Sequence, residues 1–212
     1  RRTRPFIAGY PHENDSTALN QIIEHLNTVY PNNIDVLELQ AEIYKSQQDT
    51  LRWKQTLYKI REQKTDDAID FELIKISEAQ NNKEELTKLT KQGYQKFNTD
   101  KWAFFYIISL LQNEQTDTLL NESFQILPSI TTPHFKSKIY QIVGDTYSLL
   151  NNDSLAMQMY DSCLIYDPNN AGVLNNVAYN ITKQPNPDLK RAEKMAAKAI
   201  ELEPDNTYII DT

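Results

Sequence analysis

Residues 140–168, which read YQIVGDTYSLLNNDSLAMQMYDSCLIYDP, contain a regular order of aromatic, small and proline positions. A first apolar set recurs at intervals of three and four residues, which is the spacing of one helix face. A second set follows the turn-forming residues 151–153, and a proline closes the stretch. The decisive positions are Tyr140, Val143, Gly144, Tyr147, Ala156, Tyr160 and Pro168. This stretch predicts two helices joined by a short turn, with the proline ending the second helix.

The same arrangement returns in the next unit of the chain. Its matching positions are Leu174, Val177, Ala178, Ile181, Ala192, Ala196 and Pro204. The gap from Ile181 to Ala192 is two residues longer than the gap from Tyr147 to Ala156. Pro185 lies within the longer gap, and proline interrupts helices. We therefore expect the extra residues, with Pro185 and Pro187, to lie in the turn between the two helices.

A small residue marks each unit at nearly constant intervals along the whole chain. Successive intervals between these residues are 36, 32, 35 and 34. A small side chain is needed where two helices cross closely, while larger apolar residues fill the space between pairs. The five positions are Ala41, Ser77, Ser109, Gly144 and Ala178.

This pattern resembles the tetratricopeptide repeat (TPR), a 34-residue helix–turn–helix unit with the order W-x2-L-G-x2-Y, A-x3-F and P. The resemblance covers roughly residues 15–212 and is most specific over residues 137–206. It implies an all-α, right-handed α-solenoid of about five TPR-like repeats with an extra N-terminal helix. Members of the family usually bind peptides or partner helices in a concave groove lined by the first helices.

The wording of residues 160–164 and 174–179 resembles TPR proteins of Bacteroidetes-type bacteria, in which the array is often exported to the cell envelope. We therefore expect a bacterial protein of the envelope or periplasm.

The repeat phase predicts how the chain is divided. Residues 1–13 are expected to be extended, and residues 14–212 to form the superhelical array. The expected repeats are approximately 34–67, 70–100, 102–135, 137–170 and 171–206, with the start of a further repeat at 207–212. Because no polar capping helix follows, we expect the chain to be part of a longer protein. Its open C-terminal end could support a homo-oligomer.

Three features depart from a regular repeat. Trp53 occupies a position where alanine is usual, so the second helix of its unit is expected to splay or shift. Gly93 lies inside a predicted helix, where it costs about 1 kcal/mol relative to alanine. The aromatic run Trp102, Phe104, Phe105 and Tyr106 is either an over-filled core or a hydrophobic patch for a partner.

Groove positions follow from the family geometry as the outward face of each first helix. Asparagine amides there could pair with a peptide backbone, because each offers a donor and an acceptor. Asp145 would repel a terminal carboxylate, so neutral or basic ligands are expected. The alternative is that these residues are only a solvated helix face. The candidate binding residues are Lys138, Gln141, Asp145, Asn175, Asn176, Tyr179, Lys183, Glu38 and Glu42.

Composition argues against other classes of function. The net charge of −7 is unlike that of a nucleic-acid-binding surface, and no stretch of about 20 apolar residues could span a membrane. The three histidines are scattered, no phosphate-binding loop is present, and Cys163 occupies a core position. We therefore predict no enzyme activity, no cofactor and no metal. The expected function is a protein-interaction scaffold, with a structural or self-associating spacer as the alternative.

Overall fold

The computed structural model describes residues 13–210, and every regular element within that range is helical. The predicted extended segment therefore lies outside the described residues except for Glu13, which begins the first helix. The helices are α1 Glu13–Val29, α2 Ile34–Ser46, α3 Thr50–Gln63, α4 Asp67–Ala79, α5 Lys83–Phe97, α6 Asp100–Gln112, α7 Thr116–Ile126, α8 Pro133–Leu149, α9 Asp153–Tyr166, α10 Ala171–Thr182, α11 Leu189–Leu202 and α12 Thr207–Ile210. One 3₁₀ turn, Leu127–Ser129, follows α7. Within residues 13–210, no helix is both long enough and apolar enough to cross a bilayer.

The chain divides into two compact units, residues 1–82 and residues 83–212, so the division falls inside the predicted repeat 70–100. In the first unit, the apolar faces of α1–α4 supply the buried core residues Ile23, Leu37, Leu57, Ile60 and Leu73. Arg61 on α3 forms an ion pair with the fully buried Asp70 on α4. This pairing compensates the carboxylate for its loss of water.

The Trp53 side chain in the first unit is only partly buried, so the large indole does not have to fit wholly inside the helix pair. Its ring lies beneath the ammonium of Lys45, with 4.9 Å between the nitrogen and the ring centre. The indole on α3 therefore contacts the last turn of α2 in a cation–π arrangement.

In the second unit, α5 and α6 approach each other closely at Gly93. A Cβ atom at this position would overlap the indole ring of the buried Trp102. Thr90 and Ser109 meet across the same helix pair, with 2.7 Å between their hydroxyl oxygens. The glycine that is unfavourable for an isolated helix is thus the residue that lets the two helices pack.

The aromatic run of α6 lies mainly in the core of the second unit. Trp102 and Tyr106 are buried, while Phe104 is partly buried against Phe135 with 5.5 Å between ring centres. The Tyr106 phenol also donates a hydrogen bond of 3.0 Å to Glu122. Of the two alternatives for this run, the contacts favour the over-filled core.

A repeated turn joins α2 to α3, α4 to α5, α6 to α7, and α8 to α9. In each turn one residue adopts a left-handed conformation, and the next N–H bonds back to a carbonyl near the end of the preceding helix, at 2.8–3.0 Å. This is the geometry of a Schellman-type helix end. The left-handed residues are Gln48, Asn81, Glu114 and Asn151. Residues 183–188, between α10 and α11, contain Pro185 and Pro187 and no left-handed residue.

Candidate functional site

A cleft of about 410 Å³ lies between α8 and α10. The residues of α8 that line the cleft lie four, seven and eight positions after the first of them, and those of α10 have the same separations. Such residues share one face of a helix. The second helix α9 contributes one tyrosine to the floor. The lining residues are Gln141, Asp145, Ser148, Leu149, Tyr160, Gly172, Asn176, Tyr179 and Asn180.

Among the described residues, Asp145 is the only charged one that lines this cleft, and its Oδ1 atom accepts two hydrogen bonds. The Tyr160 phenol donates one at 2.8 Å, and Nδ2 of Asn176 donates the other at 3.1 Å. Burial raises the pKa of Asp145 above its ordinary value, while the bonds from Tyr160 and Asn176 act in the opposite direction. The pKa of Tyr160 is also raised, first by burial and then by the charge of Asp145.

The two walls of the cleft are held at a set distance by Asn170. Its Nδ2 donates to Oε1 of Gln141 on α8 at 2.9 Å. Its Oδ1 accepts from the backbone N–H of Val173 at 3.0 Å and so caps α10. One side chain therefore both begins α10 and ties it to α8.

Asn180 lies at the boundary between this cleft and a second one. Its side chain is 4% exposed, and within residues 13–210 its Oδ1 has no hydrogen-bond partner. The second cleft, also about 410 Å³, is lined by Asp153, Ser154, Met157, Gln158, Asn180, Lys183, Gln184 and Pro185. A buried acceptor without a partner costs roughly 1–3 kcal/mol, so Oδ1 of Asn180 is a local cost to stability.

Four of the sequence-predicted binding residues line the first cleft: Gln141, Asp145, Asn176 and Tyr179. The remaining five do not. Asn175 is buried in α10 at 1% exposure, and the Lys183 ammonium lies 4.3 Å from the ring centre of Tyr179. Lys138 is partly exposed on α8. Glu38 pairs with Lys64 at 2.9 Å, and Glu42 is exposed; both are on α2, in the first unit.

Two cleft residues were missed as binding residues by sequence reasoning. Asn180 lies four positions after Asn176, so the helical spacing that selected Asn176 also points to it. Tyr160 was expected only as a packing residue. It replaces the phenylalanine of the family pattern, and the added hydroxyl is the signal that could have connected it with Asp145.

The repeat-defining residues lie inside the helix pairs or at their ends. Gly144 contacts Tyr160, and a Cβ atom there would lie 2.6 Å from Cε1 of that ring. The other small positions, Ala41, Ser77, Ser109 and Ala178, are buried, as are Ala156 and Ala192. Tyr140 and Tyr147 are partly buried, and Pro168 and Pro204 are exposed in turns.

Residues 13–210 contain no group of three or more His, Cys, Asp or Glu residues placed to hold a metal ion. Cys163 is buried, and burial, followed by the charge of Asp167, raises the pKa of its thiol to about 12. The thiol is therefore protonated at neutral pH, whereas the thiolate is the nucleophilic form.

Solved structures with the same fold are TPR proteins. YrrB, a TPR protein with an unusual peptide-binding site, aligns with a TM-score of 0.61 at 14% identity, over 92% of this chain and 97% of its own. A crystal structure of MamA aligns with a TM-score of 0.61 at 10% sequence identity, over 82% of this chain and 94% of the MamA chain. The C-terminal part of a TPR repeat-containing protein from Cytophaga hutchinsonii aligns with a TM-score of 0.55 at 12% sequence identity, over 92% of this chain and 95% of its own.

No model of a known protein family matches the sequence, and a search of curated proteins finds no match. At identities of 10–14%, the structural likeness concerns the fold alone. The chain thus has the fold of tetratricopeptide repeat proteins, and the predicted all-α, TPR-type solenoid class is confirmed.

Proposed function

We propose that this chain is a protein-interaction module that binds an extended peptide segment of a partner in the cleft between α8 and α10. The observation that carries the proposal is the cleft itself, whose two helix walls are tied together by Asn170. Its volume of about 410 Å³ is within the range of roughly 300–1,000 Å³ typical of ligand sites.

The chemistry of the walls suits a peptide backbone. An extended peptide presents an N–H donor and a C=O acceptor at every residue except proline. Gln141 keeps its amide donor for a ligand, since its Oε1 accepts from Asn170, and Asn176 keeps its amide oxygen, since its Nδ2 donates to Asp145 and Tyr160. Tyr179, at 49% exposure, adds an aromatic surface with a polar tip at the rim.

Photocrosslinking in cells that express the protein tests this function. A photoreactive residue is placed at Leu149 or Tyr179, two exposed rim positions, and the captured segment is identified by mass spectrometry. Asp161 is exposed on α9 outside the cleft and provides the matched control position. Gly172→Leu, which adds a side chain to the cleft wall, provides the blocking control.

Support requires one contiguous segment of another protein, captured from both rim positions, absent from Asp161 and lost with Gly172→Leu. Equal capture at Asp161, or no capture at the rim, would contradict the proposal. Capture of this chain's own residues would instead favour the self-associating alternative.

A further inference from the structure

We infer that the cleft between α8 and α10 selects peptides that carry a lysine or arginine side chain, with Asp145 as its counter-ion. This inference rests on the proposed function, because it names the ligand class of the same site. It assigns specificity to one carboxylate rather than to the groove in general.

The first support is the bonding of Asp145. Both of its hydrogen bonds end on Oδ1, and within residues 13–210 its carboxylate forms no salt bridge. Its second oxygen is therefore left to a ligand, in a partly buried setting where a charge pair is stronger than on an open surface. The Tyr160 and Asn176 bonds hold the carboxylate in place before a ligand arrives, so little ordering is needed on binding.

The second support is that the donors at the floor of the cleft are already bonded. The Tyr160 phenol has its proton directed at Asp145, so its hydroxyl is not a free donor. The Asn176 amide donor is likewise directed at Oδ1 of Asp145 and at the Tyr160 hydroxyl, at 3.1 and 3.3 Å. A lysine ammonium brings three donors and an arginine guanidinium five, and neither brings an acceptor. Cationic side chains therefore complement this surface, and carboxylates do not.

The third support is the placement of nearby cations. The Lys183 ammonium lies over the Tyr179 ring at 4.3 Å, and Lys183 lines the second cleft but not the first. The net charge of −7 also attracts basic partners over longer distances. An acidic peptide would meet repulsion both from the whole chain and from the carboxylate at the site.

Defined peptide pools test the inference on the full 212-residue chain. Acetylated and amidated nonapeptides carry lysine, arginine, norleucine or glutamate at the centre, with random uncharged residues elsewhere. A norleucine pool with a free amino terminus separates a side-chain cation from a terminal one. Binding is measured by NMR from shifts of the Asn176 and Asn180 side-chain amides.

We expect the lysine and arginine pools to bind about tenfold more tightly than the norleucine pool, as one partly buried charge pair would give. Asp145→Asn should reduce this preference to about twofold or less. Asp161→Asn makes the same change of net charge outside the cleft and should leave the preference intact. Ser148→Lys, which places an ammonium on the α8 wall, should remove the preference without altering Asp145.

Each other outcome overturns the inference in a recognisable way. Equal binding of lysine and norleucine pools, or equal effects of Asp145→Asn and Asp161→Asn, would reject the charge selection but leave peptide binding standing. Strong binding of the free-amine norleucine pool would assign the cation to a peptide terminus instead of a side chain. No shift with any pool would reject the cleft as a peptide site, and with it the proposed function.

Discussion

The Tyr160 phenol on α9 donates a hydrogen bond of 2.8 Å to Oδ1 of Asp145 on α8, and so joins the packing of a helix pair to the floor of the candidate site. The ring of Tyr160 also lies against Gly144, one residue before Asp145. One side chain thus fills the helix crossing with its ring and orients the cleft carboxylate with its hydroxyl.

Tyr160→Phe tests this double role. The ring remains and the hydrogen bond to a charged group is lost, so we expect a destabilisation of about 1–2 kcal/mol in urea unfolding. The pKa of Asp145 should rise further, because the Tyr160 bond acts to lower it. Tyr179→Phe, which removes an exposed phenol, is the matched control and should be nearly neutral. Equal effects of the two substitutions would contradict the assigned role.

Asp145→Asn should change stability in a pH-dependent manner. Burial raises the pKa of Asp145 above its ordinary value of 3.8, so the folded state holds this proton more firmly than the unfolded state. Stability therefore falls as the pH rises from below 3.8 through the raised pKa, and the loss is complete above it. Asn lacks this loss, so the free energy of unfolding of the variant should increase relative to that of the wild type as the pH rises from below 3.8 through the raised pKa.

The measurement is the free energy of unfolding in urea across that pH window, with Asp161→Asn as the surface reference. A difference between Asp145→Asn and wild type that stays constant with pH would show that the pKa of Asp145 is not raised by folding.

The three helical glycines should respond differently to alanine. At Gly144 and Gly93 a Cβ atom would press into the rings of Tyr160 and Trp102, so we expect losses of about 1–3 kcal/mol despite the better helix propensity of alanine. At Gly172 the nearest atoms would be 3.7 Å away, so alanine should be neutral or stabilise by up to about 1 kcal/mol. Chemical denaturation of all three variants measures this order, and a loss at Gly172 equal to that at Gly144 would refute the packing explanation.

Glu114→Gly should stabilise the second unit. Glu114 has a φ of 56°, a conformation in which a Cβ atom is unfavourable and glycine is not. Its ion pair with Lys83 is 3.7 Å long and highly exposed, so little is lost with the side chain. We expect a gain of about 0.5–1 kcal/mol in thermal or urea unfolding, after the greater freedom of glycine in the unfolded chain is counted. Glu114→Ala keeps the Cβ atom and should give no such gain.

Much of the fold was predictable from local patterns. The three- and four-residue spacing of apolar positions and the small residue in each unit indicate helix pairs, and both signals depend on near neighbours in the sequence. The turn at residues 151–153 was predicted, whereas the left-handed turns at Gln48 and Glu114 were not, because glutamine and glutamate do not usually mark such turns. The contact of Gly93 with Trp102 was also not foreseen, since it depends on how α5 and α6 cross.

The site was predictable only in part. Of the candidate binding residues chosen from the outward faces of α8 and α10, Gln141, Asp145, Asn176 and Tyr179 line one cleft. Asn175 is adjacent to Asn176 but buried, because neighbouring positions on a helix point about 100° apart. If the outward face of a helix is assigned one position too early or too late, a core residue is therefore taken for a cleft residue.

The sequence by itself determined the helical repeat, because periodic apolar and small residues specify which faces of each helix must be buried. The tertiary structure alone decided that Tyr160 would reach Asp145, that Asn170 would tie α8 to α10, and that Asn180 would lie between two clefts. These relationships join residues 15 to 29 positions apart or depend on the distance between helices. Their geometry follows from side-chain packing at the helix crossings, which no local pattern encodes.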